Sequence, residues 1–168
     1  DRLDKLAPMI IEKCAHIPEQ TRTLVSFFNF IDKLSKRSSY LSLLRENPDV
    51  LDLLLKITSF DPAMIERIIQ SPTMIDDLMN PESFLDLFDL NQAQKSCMIK
   101  LKNKVGDTEG IINELRKFKN STVFKIAVQE MMGIYPVEDV ADTLSDVADF
   151  IIDQLLKSAW RNIYPKKK

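Results

Sequence analysis

Five aspartates near the end of the chain are spaced as on one face of a helix. They recur every three or four residues, as Asp139, Asp142, Asp146, Asp149 and Asp153. At about 100° per residue they share an arc of roughly 80°. Such a row suits a docking face for a basic partner, a cation site, or a solvated helix face. In the last case the first aspartates would be stabilised by the helix dipole at the N-terminus. The sequence leaves these three interpretations open.

A basic cluster in the preceding segment is the second charged feature. It consists of Arg116, Lys117 and Lys119. Contact with phosphate or RNA would require exposed aromatic side chains beside it. The adjacent Phe118 fits an apolar helical stripe instead, so we predict that it belongs to the core. The net charge of −2 also argues against nucleic acid as a partner. We therefore take both charged groups as candidate interface residues.

Other catalytic or ligand-binding patterns are missing from the sequence. The single histidine, His16, forms no zinc motif with Cys14 or Cys97, and each cysteine lies in an apolar stretch where a buried, reduced thiol is expected. Glycine is scarce, with three in the chain, and neither of the common phosphate-binding motifs, GxGxxG and GxxxxGK[ST], occurs. The sequence predicts no catalytic, cofactor-binding or metal-binding residue in this segment.

Apolar periodicity predicts an all-α fold. Hydrophobic residues make up 45% of the 168 residues, and nearly every segment follows the 3.6-residue period of a helix. No apolar run approaches the roughly 18 residues of a membrane span, and with the reduced thiols this favours a cytoplasmic protein. We predict eight or nine helices, arranged either as one compact bundle over residues 1–168 or as two subdomains, 1–90 and 107–164.

Helix starts are marked by a repeated dipeptide in the first half of the chain. A capping residue precedes proline four times, at Asn47-Pro48, Asp61-Pro62, Ser71-Pro72 and Asn80-Pro81. We expect each capping oxygen to accept from the first free backbone N–H groups of a short helix, with proline in its first turn. Two longer helices are predicted from Thr108 to Met132 and from Val137 to about Ile163.

Two stretches carry a resemblance to a known family. The first contains the run from Lys36 to Pro48, KRSSYLSLLRENP, followed by the stretch from Ser71 to Met79. The second contains ELRKFK from Glu114 and the helix pattern from Val140 to Ala148. In order and spacing they resemble the glutamine synthetase adenylyltransferase family, in the helical region between its two nucleotidyltransferase domains.

The resemblance implies a segment of a large bifunctional cytoplasmic enzyme of nitrogen assimilation. That family transfers AMP from ATP to a tyrosine of glutamine synthetase and removes it by phosphorolysis, using magnesium. It responds to glutamine and to PII signalling proteins. Its catalytic domains carry a glycine-serine turn and strand-borne aspartates, which no part of this sequence matches; Asp86 and Asp89 have the wrong spacing and are expected in a helical context.

The sequence therefore predicts a noncatalytic linker or regulatory segment of an ATP-dependent nucleotidyltransferase, in contact with the adjacent catalytic domains. Neither ATP nor magnesium is expected to bind to these residues, although both are implied for the parent enzyme, as are glutamine synthetase and PII proteins as partners. The alternative is a free-standing helical adaptor for protein–protein interactions. An enzyme that acts alone is disfavoured by the scarcity of histidine and glycine.

Overall fold

The structure, a computed structural model, describes residues 2–35, 38–70, 74, 78 and 84–164. These residues contain eight helices and no strand, which confirms the all-α prediction. The helices are α1 (Arg2–Cys14), α2 (Gln20–Ser35), α3 (Ser38–Glu46), α4 (Pro48–Phe60), α5 (Pro62–Gln70), α6 (Leu90–Lys102), α7 (Thr108–Met131) and α8 (Val137–Ile163). The chain divides into two compact units, residues 1–85 and 86–168.

The first unit packs α1, α2, α3 and α5 around the central helix α4. That helix is buried over more than half of its circumference, because its apolar residues span a wide arc and leave only one side to polar residues such as Asp52 and Lys56. Its buried residues are Val50, Leu51, Leu53, Leu54, Leu55, Ile57 and Thr58. The buried Thr58 hydroxyl donates to the Leu54 carbonyl oxygen at 2.7 Å, so its polar atom is satisfied within the helix. In α1, Pro8 lies inside the helix.

The Asx-Pro starts behave differently from one another. Pro62 is the first residue of α5, and the Asp61 carboxylate accepts from the backbone N–H of Ala63 at 2.9 Å, as predicted. The prediction is wrong for Asn47: its amide instead donates back to the Leu43 carbonyl oxygen at 2.8 Å, at the end of α3. A side-chain amide can donate as well as accept, so at a junction of two helices it can donate to a free carbonyl group at the end of the first helix instead of accepting from an N–H group of the second. The dipeptides at 71–72 and 80–81 lie outside the described residues.

The second unit consists of α6, α7 and α8, with α7 and α8 packed along each other. Its core combines Cys97 and Leu101 of α6 with Ile111, Leu115 and Phe118 of α7 and Val147 of α8, in a single cluster. Gly106 has a φ of +90°, a left-handed conformation that glycine adopts easily, and it forms the turn between α6 and α7.

The segment that leads into α6 corrects one expectation. Asp86 and Asp89 are not in a helix. Asp89 is the N-cap of α6, and its carboxylate accepts from the backbone N–H of Gln92 at 3.0 Å. Two hydrogen bonds attach this segment to α7: the side-chain oxygen of Gln129 accepts from the Phe88 N–H at 3.0 Å, and its amide donates to the Asp86 carbonyl oxygen at 2.6 Å.

Candidate interaction surface

Helix α8 positions the five aspartates. It begins after Pro136, whose extended backbone ends the preceding turn. Glu138 and Asp139 lie in its first turn, where the positive end of the helix dipole stabilises negative charge. Near this end the Tyr135 hydroxyl and the Thr143 hydroxyl share a hydrogen bond of 2.7 Å. The start of the helix is therefore anchored to the loop before it.

Contacts with α7 determine which face of α8 is buried. The Phe118 and Phe150 rings pack with their centroids 5.0 Å apart, tilted by 58°. At the other end, the Asn162 amide donates to the Thr108 hydroxyl at 3.0 Å. The two helices therefore run antiparallel, and the prediction that Phe118 belongs to the core is confirmed by its 9% exposure.

All five aspartates lie on the solvent side of α8 and are exposed. Of the five, only Asp153 has an ion-pair partner among the described residues: the Lys157 ammonium, one turn later, at 2.5 Å. Asp139 and Asp153 are 14 residues apart, so the row extends over about 21 Å of helix axis. Carboxylates arranged in this way follow one another along the axis instead of converging around one ion. Within the described ranges, no three His, Cys, Asp or Glu side chains form a metal-ligand group.

The basic cluster on α7 is also exposed. Arg116 donates to the side-chain oxygen of Asn113 at 3.0 Å, and Lys117 contacts Glu114 at 3.0 Å. Both partners belong to α7 itself. In the described part of the chain, no ion pair connects this cluster to the aspartates of α8, so the structure does not combine the two groups into one charged site.

Sequence reasoning missed a second apolar face on α8. The apolar residues roughly opposite the aspartates form the side with the least exposed surface: Val147 is buried, and Val140, Leu144 and Ile151 are half-buried. Leu155, near the edge of this side, is exposed. Further large apolar side chains are exposed as well: Val137, Ile152, Leu156, Trp160, Ile163 and Tyr164. The signal was present in the sequence, because apolar residues occupy more of the helix circumference than one packed face requires.

The two cysteines are buried and unpaired, as predicted. The pKa of the Cys97 thiol is raised to about 11, mainly through loss of solvation on burial; Lys100 opposes this shift and Glu114 adds to it. Burial also raises the pKa of Cys14. A thiol with a raised pKa is a poor nucleophile, so neither cysteine has the environment of a reactive site.

No helix in the described ranges is both long enough and apolar enough to cross a membrane.

Comparison with known proteins identifies the family. A sequence profile of glutamate-ammonia ligase adenylyltransferases matches residues 51–167 of this chain. The chain belongs to this family. The profile covers most of α4, all of α5 and all three helices of the second unit, so the resemblance noted in the sequence is confirmed over most of the described structure.

Individual adenylyltransferases align along nearly the whole chain. The bifunctional glutamine synthetase adenylyltransferase/adenylyl-removing enzyme of Neisseria meningitidis serogroup A is 32% identical over 166 residues, covering 99% of this chain and 18% of that protein. The enzyme of the same name from Shewanella woodyi is 30% identical, with coverages of 97% and 17%. That from Chromobacterium violaceum is 28% identical over 162 residues, with coverages of 96% and 18%. The chain thus spans less than a fifth of the length of these curated relatives.

Proposed function

We propose that these residues form a noncatalytic helical segment of a bifunctional glutamine synthetase adenylyltransferase/adenylyl-removing enzyme, and that they connect and position its nucleotidyltransferase domains. The observation that carries this proposal is the alignment of almost the whole chain with only 17–18% of such enzymes. A segment of this size supplies one part of a larger polypeptide, and its helical structure suits a mechanical role.

The packing of the second unit supports such a role. Helices α7 and α8 have 24 and 27 residues and lie antiparallel, joined by a short turn that includes Gly133. Aromatic packing joins Phe118 to Phe150, and a hydrogen bond joins Thr108 to Asn162. Contacts at separate points along the pair hold the two helices together over much of their length, which suits a rigid connection between domains.

The remaining assignments follow from the family. We infer that the parent enzyme is cytoplasmic, that it uses ATP and magnesium in domains other than this one, and that glutamine synthetase and PII proteins are its partners in the control of nitrogen assimilation. Exposed charged side chains on α7 and α8, including Arg116, Lys119 and Asp146, are available for contact with neighbouring domains.

The noncatalytic role is tested by an AMP-transfer assay. The purified 168-residue chain is incubated with ATP, Mg²⁺ and glutamine synthetase, and covalent AMP on the synthetase is measured by mass spectrometry. The full-length Neisseria enzyme serves as the positive control. We expect no transfer above background from the chain; transfer at a rate comparable with that of the full-length enzyme would overturn the proposal.

A further inference from the structure

One side of the antiparallel pair α7–α8 carries exposed apolar and basic side chains together. On α7 these are Ile112, Arg116 and Lys119, which lie at intervals of four and three residues and share an arc of about 60°. Each is at least about 140° around the helix from Glu114, which lies near Cys97 of α6 and contributes to the raised pKa of its thiol. These three residues therefore lie on the side of α7 away from α6.

Helix geometry determines which residues of α8 lie beside them. Viewed from one end, antiparallel helices turn in opposite senses, so residues displaced in the same winding direction from the contact lie on the same side of the pair. On α7, Ile112 and Arg116 are displaced by about 60–100° from the buried Leu115 in the direction in which the chain winds. On α8, Leu155 is displaced by about 80° from the buried Val147 in that direction, and the five aspartates by about 80–160° in the opposite one. Leu155 therefore lies beside Ile112 and Arg116, and the aspartates face away from them.

The charges on this side are level with the apolar side chains along the helix axis. The Phe118 ring packs on Phe150, and counting from this contact at about 1.5 Å per residue along each helix places Leu155 between the levels of Ile112 and Arg116. The second cation of α7 follows within one turn. The apolar and basic side chains therefore share about 10 Å of helix axis.

The ion pairs agree with this placement. Asp153 of α8 is level with Arg116, yet it pairs with Lys157 of its own helix. Arg116 donates to the neutral side chain of Asn113 at 3.0 Å, and Lys119 makes no ion pair among the described residues. Both cations on this side therefore lack a carboxylate partner within the described part of the chain.

The lateral surface formed by Ile112, Arg116, Lys119 and Leu155 favours one class of partner. Ile112 is 41% exposed and Leu155 38%, so both are recessed compared with the apolar side chains of α8 that are more than 60% exposed. A recessed apolar contact beside two cations suits a helix with large apolar side chains and carboxylates along one edge. An anionic membrane attracts clusters of about four to eight basic residues, and single-stranded nucleic acid stacks on exposed aromatic rings; the lateral surface has neither feature.

We propose that the lateral surface of α7 and α8 is a docking site for an amphipathic helix that lies outside these 168 residues and carries glutamate or aspartate along one edge. The apolar side of the partner covers Ile112 and Leu155, and its carboxylates bind Arg116 and Lys119. The planar guanidinium of Arg116 can donate two parallel hydrogen bonds to one carboxylate. This docking does not depend on the proposed linker role, because it follows from side chains of α7 and α8 alone.

A second copy of the chain is a competing occupant, because the aspartates of its α8 are exposed. The exposed residues among these aspartates in the first half of that helix are small: Ala141, Ser145 and Ala148. This part of α8 offers charge but no large apolar side chain to cover the lateral surface. Sedimentation velocity decides this point: we expect a monomer across the concentration range of the binding experiments, and a dimer abolished by Arg116→Glu/Lys119→Glu would overturn the proposal.

The direct test measures binding of two fluorescein-labelled peptides of about 18 residues to the 168-residue chain by fluorescence anisotropy. Both carry leucine at positions i, i+3, i+4 and i+7; one has glutamate at the flanking positions and the other has lysine. The net charge of −2 favours the lysine peptide, so a preference for the glutamate peptide reports on a local basic site. We expect the glutamate peptide to bind saturably and the lysine peptide to bind at least about tenfold more weakly. Equal binding of both peptides, or a preference for the lysine peptide, would refute the proposal.

Charge reversal on the lateral surface should exchange the preference between the two peptides. Arg116→Glu/Lys119→Glu should weaken binding of the glutamate peptide at least about tenfold and strengthen binding of the lysine peptide. The matched control, Lys95→Glu/Lys102→Glu, makes the same change in net charge at exposed positions of α6 and should keep the affinity for the glutamate peptide within about threefold. An equal loss in the two double variants would mean a general charge effect and would overturn the proposal.

Two adjacent leucines of α8 test the apolar part of the contact. Leu155→Ser should weaken the glutamate peptide at least about fivefold, whereas Leu156→Ser, which lies about 100° further around the helix, should leave its binding unchanged. Circular dichroism checks that each variant is folded, and the charge variants decide the proposal if Leu155→Ser is not. The reverse order of the two leucine effects would contradict it, as would binding to phosphatidylcholine/phosphatidylserine vesicles that is lost in Arg116→Glu/Lys119→Glu.

Discussion

The side chain of Gln129 holds the backbone of Phe88, 41 residues earlier in the chain, through a hydrogen bond of 3.0 Å. Its amide also donates to the Asp86 carbonyl oxygen at 2.6 Å, and the side chain has no exposed surface. One buried amide therefore satisfies a donor and an acceptor of a segment that has no helical hydrogen bonds of its own. This relationship fixes the loop before α6 to helix α7.

Replacing Gln129 should destabilise the second unit. Gln129→Met keeps most of the side-chain volume but leaves the Phe88 N–H and the Asp86 carbonyl without these partners, at a cost of about 2–4 kcal/mol in the free energy of unfolding. Urea denaturation followed by circular dichroism measures the change. Gln92→Met, at an exposed position, is the control and should stay within about 0.5 kcal/mol of the wild type. A similar stability for both variants would show that the two hydrogen bonds contribute little.

The start of α7 allows a test of coupling between a cap and a glycine. The Asp107 carboxylate accepts from the Gly110 N–H at 2.8 Å, and a Cβ added to Gly110 would lie 2.1 Å from the Asp107 Oδ2. Asp107→Ala should cost about 1 kcal/mol through loss of the cap. Gly110→Ala alone should be close to neutral, because the gain in helix propensity of about 1 kcal/mol is offset by displacement of the carboxylate.

In the Asp107→Ala background the same glycine substitution should stabilise the chain by about 1 kcal/mol, since no carboxylate is then displaced. A double-mutant cycle on unfolding free energies measures this coupling. Additive effects of the two substitutions would mean that the carboxylate does not need to move.

The Cys97 thiol should be nearly inert at neutral pH. With its pKa raised to about 11 from an ordinary value near 9, the thiolate fraction at pH 8 falls about 100-fold. In a Cys14→Ala variant, reaction with a disulfide reagent should therefore be at least about 100-fold slower in the folded than in the urea-unfolded chain. The folded rate should continue to rise with pH between 9 and 11, whereas the unfolded rate levels off; a plateau near pH 9 in the folded chain would contradict burial of the thiol.

The same shift predicts a dependence of stability on pH. The folded state favours the protonated thiol, so this stabilisation is complete below pH 9 and is lost as pH rises through 11. We expect the decline in unfolding free energy between pH 9 and 11 to be smaller in Cys97→Ala than in the wild type. Thermal or urea unfolding at several pH values measures the difference.

Replacing Phe118 should destabilise the chain far more than replacing its exposed neighbour Lys117. It lies between the exposed residues Lys117 and Lys119, yet its ring packs on Phe150. Phe118→Ala should lower the free energy of unfolding by about 3–5 kcal/mol, the usual cost of removing a buried aromatic ring. Lys117→Ala, which loses only an exposed ion pair with Glu114, should cost less than about 1 kcal/mol. Equal effects would place the ring outside the core.

Much of the fold follows from local sequence alone. The period of apolar residues predicted the helical class, and the long helices Thr108–Met131 and Val137–Ile163 end within one residue of the predicted positions. Turn and cap chemistry acts between near neighbours in the chain, which is why the cap at Asp61 was also predictable. These features depend on interactions a few residues apart, so no knowledge of the tertiary structure was needed.

Only the tertiary structure decided which partners two polar side chains bind and which apolar faces are buried. Asn47 stands between α3 and α4, so its side chain can bind either the last carbonyl groups of α3 or the first N–H groups of α4; it binds the Leu43 carbonyl oxygen of α3. Gln129 binds a segment 41 residues away in the chain. Leu155 and Val147 are both apolar residues of α8, but one is exposed and the other buried. Burial depends on which face another helix covers, and that is set by the packing of distant segments rather than by the residues of the helix itself.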